Sequence, residues 1–354
     1  PGCDGLVNQT RGGGGLNLTG PLTNTAVGVI CFPFVSTAVP SFDQTFQDDQ
    51  FSGTVALSFD VTDEVMAYVS YSRGFKAGGF NLDSTAAIRN NPGAGTIPAN
   101  PANDSAPGNF LQEGDASFDS ETVDAFELGF KSDLLERQLR LNVTGFDYSI
   151  DDFQLLEFTG VSFVTDNVKA VKVRGIEAEI IATPPIEGLT LSSSVVYSDA
   201  YYERKGCSYN PASAILADRV CGRQLTNAPK WTVNLGGVYQ HDLFPVGDYD
   251  LIGTFSMNYQ YRGQRRAGTT PANVSAAPGG SEATNARTQK ESNILDMRLG
   301  VSTADYMVSL EGWVRNVTDE RTSQVLFQIP LRTGATGGFI DEPRMYGFTV
   351  RGRF

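Results

Sequence analysis

The chain has 354 residues, a formal net charge of −13, 38 Gly, 13 Tyr and 22 Phe. This acidic balance argues against nucleic acid as a partner, because phosphate binding needs a basic surface. The sequence contains no run of about 18 apolar residues, which excludes a membrane protein built from helices.

The first 50 residues contain two of the four cysteines. Four cysteines allow three connectivities, but the nearest neighbours pair locally as Cys3 with Cys31 and Cys207 with Cys221. Each pair closes a loop compact enough to pin a surface excursion, and paired loop cysteines suit an oxidising compartment outside the cytoplasm. The alternative is four unpaired thiols.

From residue 51 onward, apolar and polar residues alternate with a period of two, which is typical of strands with one apolar and one polar face. Eleven such strands are predicted, in chain order: 51–61, 65–80, a third that ends at 126–131, 139–150, 168–183, 189–198, 231–240, 251–261, 295–302, 306–315 and 344–354. In the fourth, the apolar phase moves from Val143 to Phe146, Tyr148 and Ile150.

The terminal strand shows most clearly what the alternation means. Tyr346, Phe348, Val350 and Phe354 lie on one face, and Arg351 and Arg353 lie on the other. A strand between lipid and charge fits one membrane architecture, a closed β-barrel with a polar interior. The phase change in the fourth strand then has two explanations, a β-bulge or emergence past the membrane rim.

The connections alternate strictly between short and long. The short ones are 62–64, 132–137, 184–188, 241–248 and 303–305, and the long ones are 78–117, 158–167, 205–226, 263–291 and 318–340. This alternation is typical of an up-and-down barrel in an outer membrane, with tight periplasmic turns and long outer loops. We therefore predict an all-β, transmembrane, antiparallel up-and-down β-barrel, with residues 1–50 as an extracellular loop region and the C terminus in the periplasm.

Aromatic residues near the strand ends fit the girdles of such a barrel. They are Tyr71, Trp231, Tyr239, Tyr259, Tyr261 and Tyr346.

Five short segments resemble motifs of TonB-dependent outer-membrane receptors, in the order that the family has them. They are YSRGFKAGGFN at 71–81, FELGFK at 126–131, RGIEAE at 174–179, NAPKW at 227–231 and NVTDE at 316–320. The resemblance covers roughly residues 50 to 354. It implies a plugged barrel of about 22 strands, of which residues 51–354 would be the C-terminal half. Because an open half-barrel leaves two unpaired edges in lipid, we expect a fragment, or one piece that pairs with another.

The resemblance also implies a location and partners. The location is the outer membrane of a Gram-negative bacterium, where the receptor imports a scarce nutrient of the siderophore-iron, cobalamin or oligosaccharide type. The partners are outer-membrane lipid, the plug and remaining strands, TonB through an N-terminal region absent from this sequence, and the barrel-assembly machinery. That machinery would read the terminal strand through Tyr346, Phe348, Val350 and Phe354. A passive porin and a surface structural or adhesive barrel are the alternatives.

The sequence offers few residues suited to catalysis or to metal binding. The one histidine, His241, lies in a predicted periplasmic turn. The acidic pairs at 48–49 and 151–152 lack the spacing of a calcium loop. We predict no enzyme, no cofactor and no metal site.

Two sets of charged residues are candidate sites. The ligand-binding candidates at the rim and on outer loops are Arg73, Lys76, Arg204, Lys205, Arg265 and Arg266. The charges predicted for the lumen are Glu127, Lys131, Arg140, Glu177, Glu179, Asp296, Arg298, Glu311, Arg315, Arg351 and Arg353. Mixed signs on adjacent strands favour pairing with one another or with a plug over a role in binding a solute.

Overall fold

The structure is a computed structural model, and not every residue of the chain is described by it. The described residues are 45–81, 117–158, 163–204, 220–268, 287–329 and 336–353. Cys3, Cys31, Lys205, Cys207 and Phe354 lie outside these ranges, so what the sequence predicts for them stays a prediction.

The described residues form β-strands and almost no helix. In chain order the strands are β1 (Gly53–Thr62), β2 (Val65–Lys76), β3 (Gly79–Phe80), β4 (Ser117–Phe118), β5 (Glu121–Leu134), β6 (Leu139–Phe158), β7 (Phe163–Ala182), β8 (Leu189–Tyr202), β9 (Trp231–Asp242), β10 (Leu251–Arg262), β11 (Arg265–Arg266), β12 (Thr288–Gln289), β13 (Ser292–Thr303), β14 (Val308–Arg315), β15 (Ser323–Gln328), β16 (Thr336–Ile340) and β17 (Met345–Gly352). No helix within these ranges is long and apolar enough to cross a membrane.

Eleven strands form one antiparallel sheet in the order β1-β2-β5-β6-β7-β8-β9-β10-β13-β14-β17. Strands that are neighbours in this sheet are also successive along the chain, once three separate two-stranded sheets, β3–β4, β11–β12 and β15–β16, are left aside. The prediction of an all-β, up-and-down architecture is therefore confirmed. β1 and β17 are the two edges of the sheet.

One face of the sheet carries large apolar side chains that no described part of the chain covers. Leu57 is 70% exposed, Leu128 60%, Leu299 66% and Phe348 78%. Along β10 the apolar face runs from Leu251 to Tyr261, which is about 33 Å of strand and about 25 Å of height at a tilt near 40°. That height matches the apolar band of an outer-membrane barrel.

The predicted short turns are present, but the predicted long loop at 158–167 is wrong. β6 and β7 are each 20 residues long and continue to Phe158 and from Phe163. Val164 and Val168 are almost fully buried, and Val168 packs in a cluster with Leu155, Val171, Tyr202 and Val220. This packing stabilises strand structure where the one-face alternation had ended. The predicted second strand also breaks after Lys76, where β3 begins a separate pairing with β4.

The phase change in the fourth predicted strand is not a bulge. β5 and β6 pair continuously from Leu134 opposite Leu139 to Thr122 opposite Asp151, with no shift of register. Strand alternation therefore places Phe146 and Tyr148 on the polar, interior face. Asp147 lies on the apolar side, where the strand passes beyond the last apolar residues.

Candidate functional site

The interior wall of β2, β5 and β6 contains a group of aromatic and polar side chains. Tyr148 donates a hydrogen bond from its hydroxyl to Glu127 Oε1 at 2.6 Å, and the rings of Phe146 and Tyr148 stack at 5.2 Å. The hydroxyls of Tyr68 and Thr144 share a hydrogen bond of 2.8 Å. The aromatic side chains that break the apolar phase of the sequence thus form an interior patch.

Carboxylates predominate on this part of the wall. Glu179 accepts a hydrogen bond from Asn142 Nδ2 at 3.1 Å, and Lys131 lies 5.7 Å from the centre of the Tyr68 ring. No cation of the described residues makes an ion pair with Glu127, Glu177 or Glu179. Glu177 and Glu179 are exposed and Glu127 is half-buried, and all three would need cationic partners if protein filled the interior.

On the wall of β13, β14 and β17, charges of both signs meet. Arg298 Nη1 lies 3.5 Å from Glu311 Oε1, and the Arg315 guanidinium lies 5.4 Å above the Trp313 ring. Asp296 accepts a hydrogen bond of 2.8 Å from the backbone N–H of Asn316. At the opposite end of the sheet's interior, Arg140 Nε bonds Asp133 Oδ1 at 2.7 Å. Pairing within the wall therefore accounts for part of the predicted lumen charges, while Arg351 and Arg353 are exposed.

Trp313 fills the interior side of a glycine on the last strand. Its indole N–H donates to Thr349 Oγ1 at 3.3 Å, and an added Cβ at Gly347 would lie 2.7 Å from Trp313 Cζ2. Aromatic side chains therefore face the interior both on β6 and on β14.

Arg73 does not face the interior. Its Nη1 bonds both carboxylate oxygens of Asp124, at 2.9 and 3.0 Å, and Tyr71 donates its hydroxyl to the same carboxylate at 2.5 Å. Strand alternation puts Arg73 on the same face as Val69, which is the apolar face. Its charge is engaged on the outside of the sheet, away from any interior vestibule.

The other candidate ligand residues have different surroundings. Lys76 is exposed and lies on the face opposite to Arg73. Arg204 is exposed and its side chain lies beside Gly222. Arg265 is 5% exposed and donates from Nη2 to the Ser323 carbonyl at 3.1 Å, and burial lowers its pKa. The carbonyl of Arg266 accepts the backbone N–H of Asn227 at 2.8 Å.

A network of side-chain amides at the outer end was not predicted. Gln154 is buried, and its Nε2 donates to the carbonyls of Ala77 at 2.8 Å and Asp119 at 3.1 Å. Asn167 Nδ2 donates to the same Asp119 carbonyl at 2.9 Å. Asn81 exchanges two hydrogen bonds of 2.8 Å with the backbone of Thr165. These hydrogen bonds connect the β3–β4 strand pair to β6 and β7. In the sequence the network is indicated only by a polar amide, Gln154, between the apolar residues Phe153 and Leu155.

The described part of the chain shows no metal site, and it includes one histidine and one cysteine. No group of three or more His, Cys, Asp or Glu residues there could hold a metal ion. His241 stacks on Tyr239 at 6.0 Å with an angle of 12° between the rings. Cys221 is buried. Because Cys207 is not among the described residues, the predicted pairing stays a prediction.

A comparison with protein families decides what this sheet is. Residues 24–317 match the family described as TonB dependent receptor-like, beta-barrel. The chain belongs to the TonB-dependent receptor family. The resemblance carried by the five motifs is confirmed, and the interior face described above is the wall of a TonB-dependent receptor barrel.

Solved TonB-dependent receptors share the fold. The ferric yersiniabactin uptake receptor from Yersinia pestis is 16% identical with a TM-score of 0.58, over 86% of this chain and 37% of that one. The siderophore receptor PiuA from Acinetobacter baumannii is 16% identical with a TM-score of 0.55, over 84% and 35%. The ferripyoverdine receptor of the outer membrane of Pseudomonas aeruginosa is 14% identical with a TM-score of 0.54, over 86% and 33%.

The chain therefore spans about a third of the length of the receptors that it matches. At these identities the likeness shows the barrel fold alone. What each receptor binds belongs to that receptor.

Proposed function

We propose that the chain is the C-terminal half of the barrel of an outer-membrane receptor that imports a scarce nutrient into the periplasm with energy supplied through TonB. The observation that carries the proposal is the eleven-stranded sheet, apolar outside and polar inside, in a chain of this family. Unpaired strand edges in lipid are costly, so β1 and β17 would pair with the remaining strands of the receptor.

The interior wall favours a plugged receptor over an open porin. Phe146, Tyr148 and Trp313 present aromatic surface to the interior, which suits contact with protein better than contact with channel water. The carboxylates of Glu127 and Glu177 have no cationic partner among the described residues of the wall. We propose that basic residues of a plug bind them, because a charge enclosed by protein needs a partner.

The proposed orientation follows from the connections. The long segments between β2 and β5, β8 and β9, β10 and β13, and β14 and β17 would lie outside the cell. The C terminus would lie in the periplasm, where Tyr346, Phe348, Val350 and Phe354 would be read by the barrel-assembly machinery. Residues 1–50 would be an outer loop, with both predicted disulfides outside the cell.

For the ligand, the exposed cations at the sheet's outer end favour an anionic solute. Lys76 is exposed on the interior face and Arg204 is exposed just past the end of β8, whereas Arg73 is bonded on the outside and Arg265 is buried. The solved receptors named above are uptake receptors or receptors for iron-bearing siderophores by name. We propose a negatively charged ferric chelate as the ligand, ahead of cobalamin or an oligosaccharide.

Uptake by the complete receptor tests the proposal. A strain that lacks the gene is complemented with the wild type, with Lys76→Gln/Arg204→Gln, or with Arg73→Gln as the matched control, and accumulation of iron from a panel of ferric chelates is measured. We expect one chelate to be taken up in a TonB-dependent manner, with loss of affinity in the double variant and none in the control. Free ion conductance of the purified protein in a planar bilayer would instead establish a porin. Unchanged uptake of every solute, with loss of surface attachment, would establish an adhesive barrel.

A further inference from the structure

A group of charged side chains lies on the outer face of the sheet, just beyond its apolar surface. A cavity of about 250 Å³ there is lined by Asp147, Lys172, Arg174, Tyr201 and Glu203. Arg174 precedes Ile176 by two residues on β7, so it faces the same side as this apolar residue and away from Glu177. The cavity therefore opens towards the surroundings of the barrel and not into its interior.

Lys172 and Arg174 are two cations without a carboxylate partner in the described part of the chain. Arg174 Nη2 donates to the Tyr201 hydroxyl at 3.0 Å, and its guanidinium lies 5.7 Å from the centre of that ring. The adjacent Asp199 is engaged by Lys230 at 2.8 Å. Because Lys172 and Arg174 are two residues apart on one strand, their Cα atoms are about 7 Å apart and their charges can act on a single anion.

The level of these cations indicates what the anion is. The rings of Tyr197 and Trp231 pack at 4.9 Å on the same face, one step closer to the apolar band. Tyr and Trp on a lipid-facing surface mark the membrane–water interface, and lipid phosphates lie just beyond it. We propose that Lys172, Arg174 and the Tyr201 hydroxyl bind the phosphate of a lipid headgroup in the outer leaflet. This inference rests on the proposed orientation, and it does not depend on transport.

Two acidic residues limit the size of this site. Asp147 lies directly opposite Arg174 on β6, and Glu203 follows the end of β8 on the other side, where its N–H bonds the Ala170 carbonyl. A second phosphate at either end would meet a carboxylate of like charge. The site therefore fits one phosphate, and removal of Asp147 should strengthen binding.

Lipid affinity of the complete receptor, purified in detergent, tests the site. The probes are monophosphorylated lipid A and its dephosphorylated form, titrated against wild type, Lys172→Gln/Arg174→Gln and Asp147→Asn. Each surface cation contributes about fivefold to affinity for an anionic lipid, so we expect the double variant to lose about 25-fold for the phosphorylated probe and nothing for the dephosphorylated one. Asp147→Asn should bind the phosphorylated probe more tightly than wild type.

Arg73→Gln is the matched control, since Arg73 lies on the same face but is bonded to Asp124, and its lipid affinity should equal that of wild type. Heat-modifiable gel mobility verifies that each variant is folded, and the single variant Lys172→Gln replaces the double one if the latter is not. Equal affinity of wild type and the cation variants would overturn the proposal. Displacement of the lipid by millimolar inorganic phosphate would also overturn it, by indicating a site for the free anion. Loss of uptake in Lys76→Gln/Arg204→Gln with unchanged lipid affinity would separate this site from the proposed function.

Discussion

Two glycines on neighbouring strands make a sharp test of the strand register. Gly145 on β6 and Gly175 on β7 lie one rung apart, since Gly145 pairs with Ile176 and Phe146 pairs with Gly175. A Cβ at Gly145 would have the Leu128 carbonyl at 3.8 Å as its nearest neighbour. A Cβ at Gly175 would lie within contact distance of the Tyr197 carbonyl, 2.8 Å from Phe146 Cζ and 3.0 Å from Ser198 Cα.

The two substitutions to alanine should therefore change stability in opposite directions. At Gly175 the obstructing atoms include backbone of β8, which cannot rotate away, and overpacking of this kind costs about 1–3 kcal/mol. At Gly145 there is space, and the lower conformational entropy of an unfolded chain with alanine stabilises by about 0.4–1 kcal/mol. The free energies of unfolding should differ between the variants by about 1.4–4 kcal/mol.

The assay is guanidinium unfolding of the complete receptor, with the folded fraction read from heat-modifiable gel mobility. The unfolding midpoint of wild type should lie above that of Gly175→Ala and below that of Gly145→Ala. Equal midpoints for the two variants would refute the register between β6, β7 and β8, because a slip of β7 by one residue would turn Gly175 to the opposite face of the sheet, away from its present neighbours.

Three further predictions follow from the site and the turns. Glu127→Gln/Glu177→Gln should weaken the contact between plug and wall, and planar-bilayer recordings should then show open events absent from wild type and from an Asp296→Asn control, since Asp296 bonds within the wall. Hydrogen bonds from the Thr303 hydroxyl and the Met307 N–H lower the pKa of Asp305. The stability advantage of wild type over Asp305→Asn should therefore be full above a pH of about 4 and vanish as the pH falls through the lowered pKa. An equal advantage at pH 2 and pH 7 would contradict this. Gln154→Leu removes the donor to the carbonyls of Lys76, Ala77 and Asp119, so amide hydrogen exchange should accelerate at Gly79–Phe80 and around Thr165, while exchange in β10 stays unchanged.

The eleven strands could be predicted because each has one lipid-facing side, and a period of two is visible without any knowledge of contacts. The stretch from Phe163 to Val168 could not, because its alternate residues Val164, Asp166 and Val168 are buried and Val168 packs in the cluster with Tyr202 and Val220. Burial by a distant segment leaves no local pattern in the sequence. The strand pairs β3–β4, β11–β12 and β15–β16 were missed for a different reason, since their strands are only two to six residues long and lie in segments of loop composition.

The candidate site was less predictable than the fold, and Arg73 shows why. Alternation alone puts Arg73 on the face of Val69 and Tyr71, but its charge suggested a rim position open to a ligand. The ion pair with Asp124 depends on the pairing of β2 with β5, which a single sequence does not show. By contrast, the row of interior carboxylates is visible in the sequence, because Glu177 and Glu179 alternate with Ile176 and Ala178 on one strand.

The change from apolar to charged residues on the outer face also reports the tilt of the strands. Along one rung of paired residues, Tyr71 and Phe126 on β2 and β5 are followed by Asp147, Arg174 and Asp199 on β6, β7 and β8. The rung crosses the strands at right angles, so a change from apolar to charged along it means that the membrane surface crosses the strands obliquely. Tilted strands in a closed barrel require that relation. The charged residues of the proposed lipid site thus begin two rungs lower on β7, at Arg174, than Arg73 and Asp124 do on β2 and β5, because the rung of Arg174 has already risen out of the apolar band on β7.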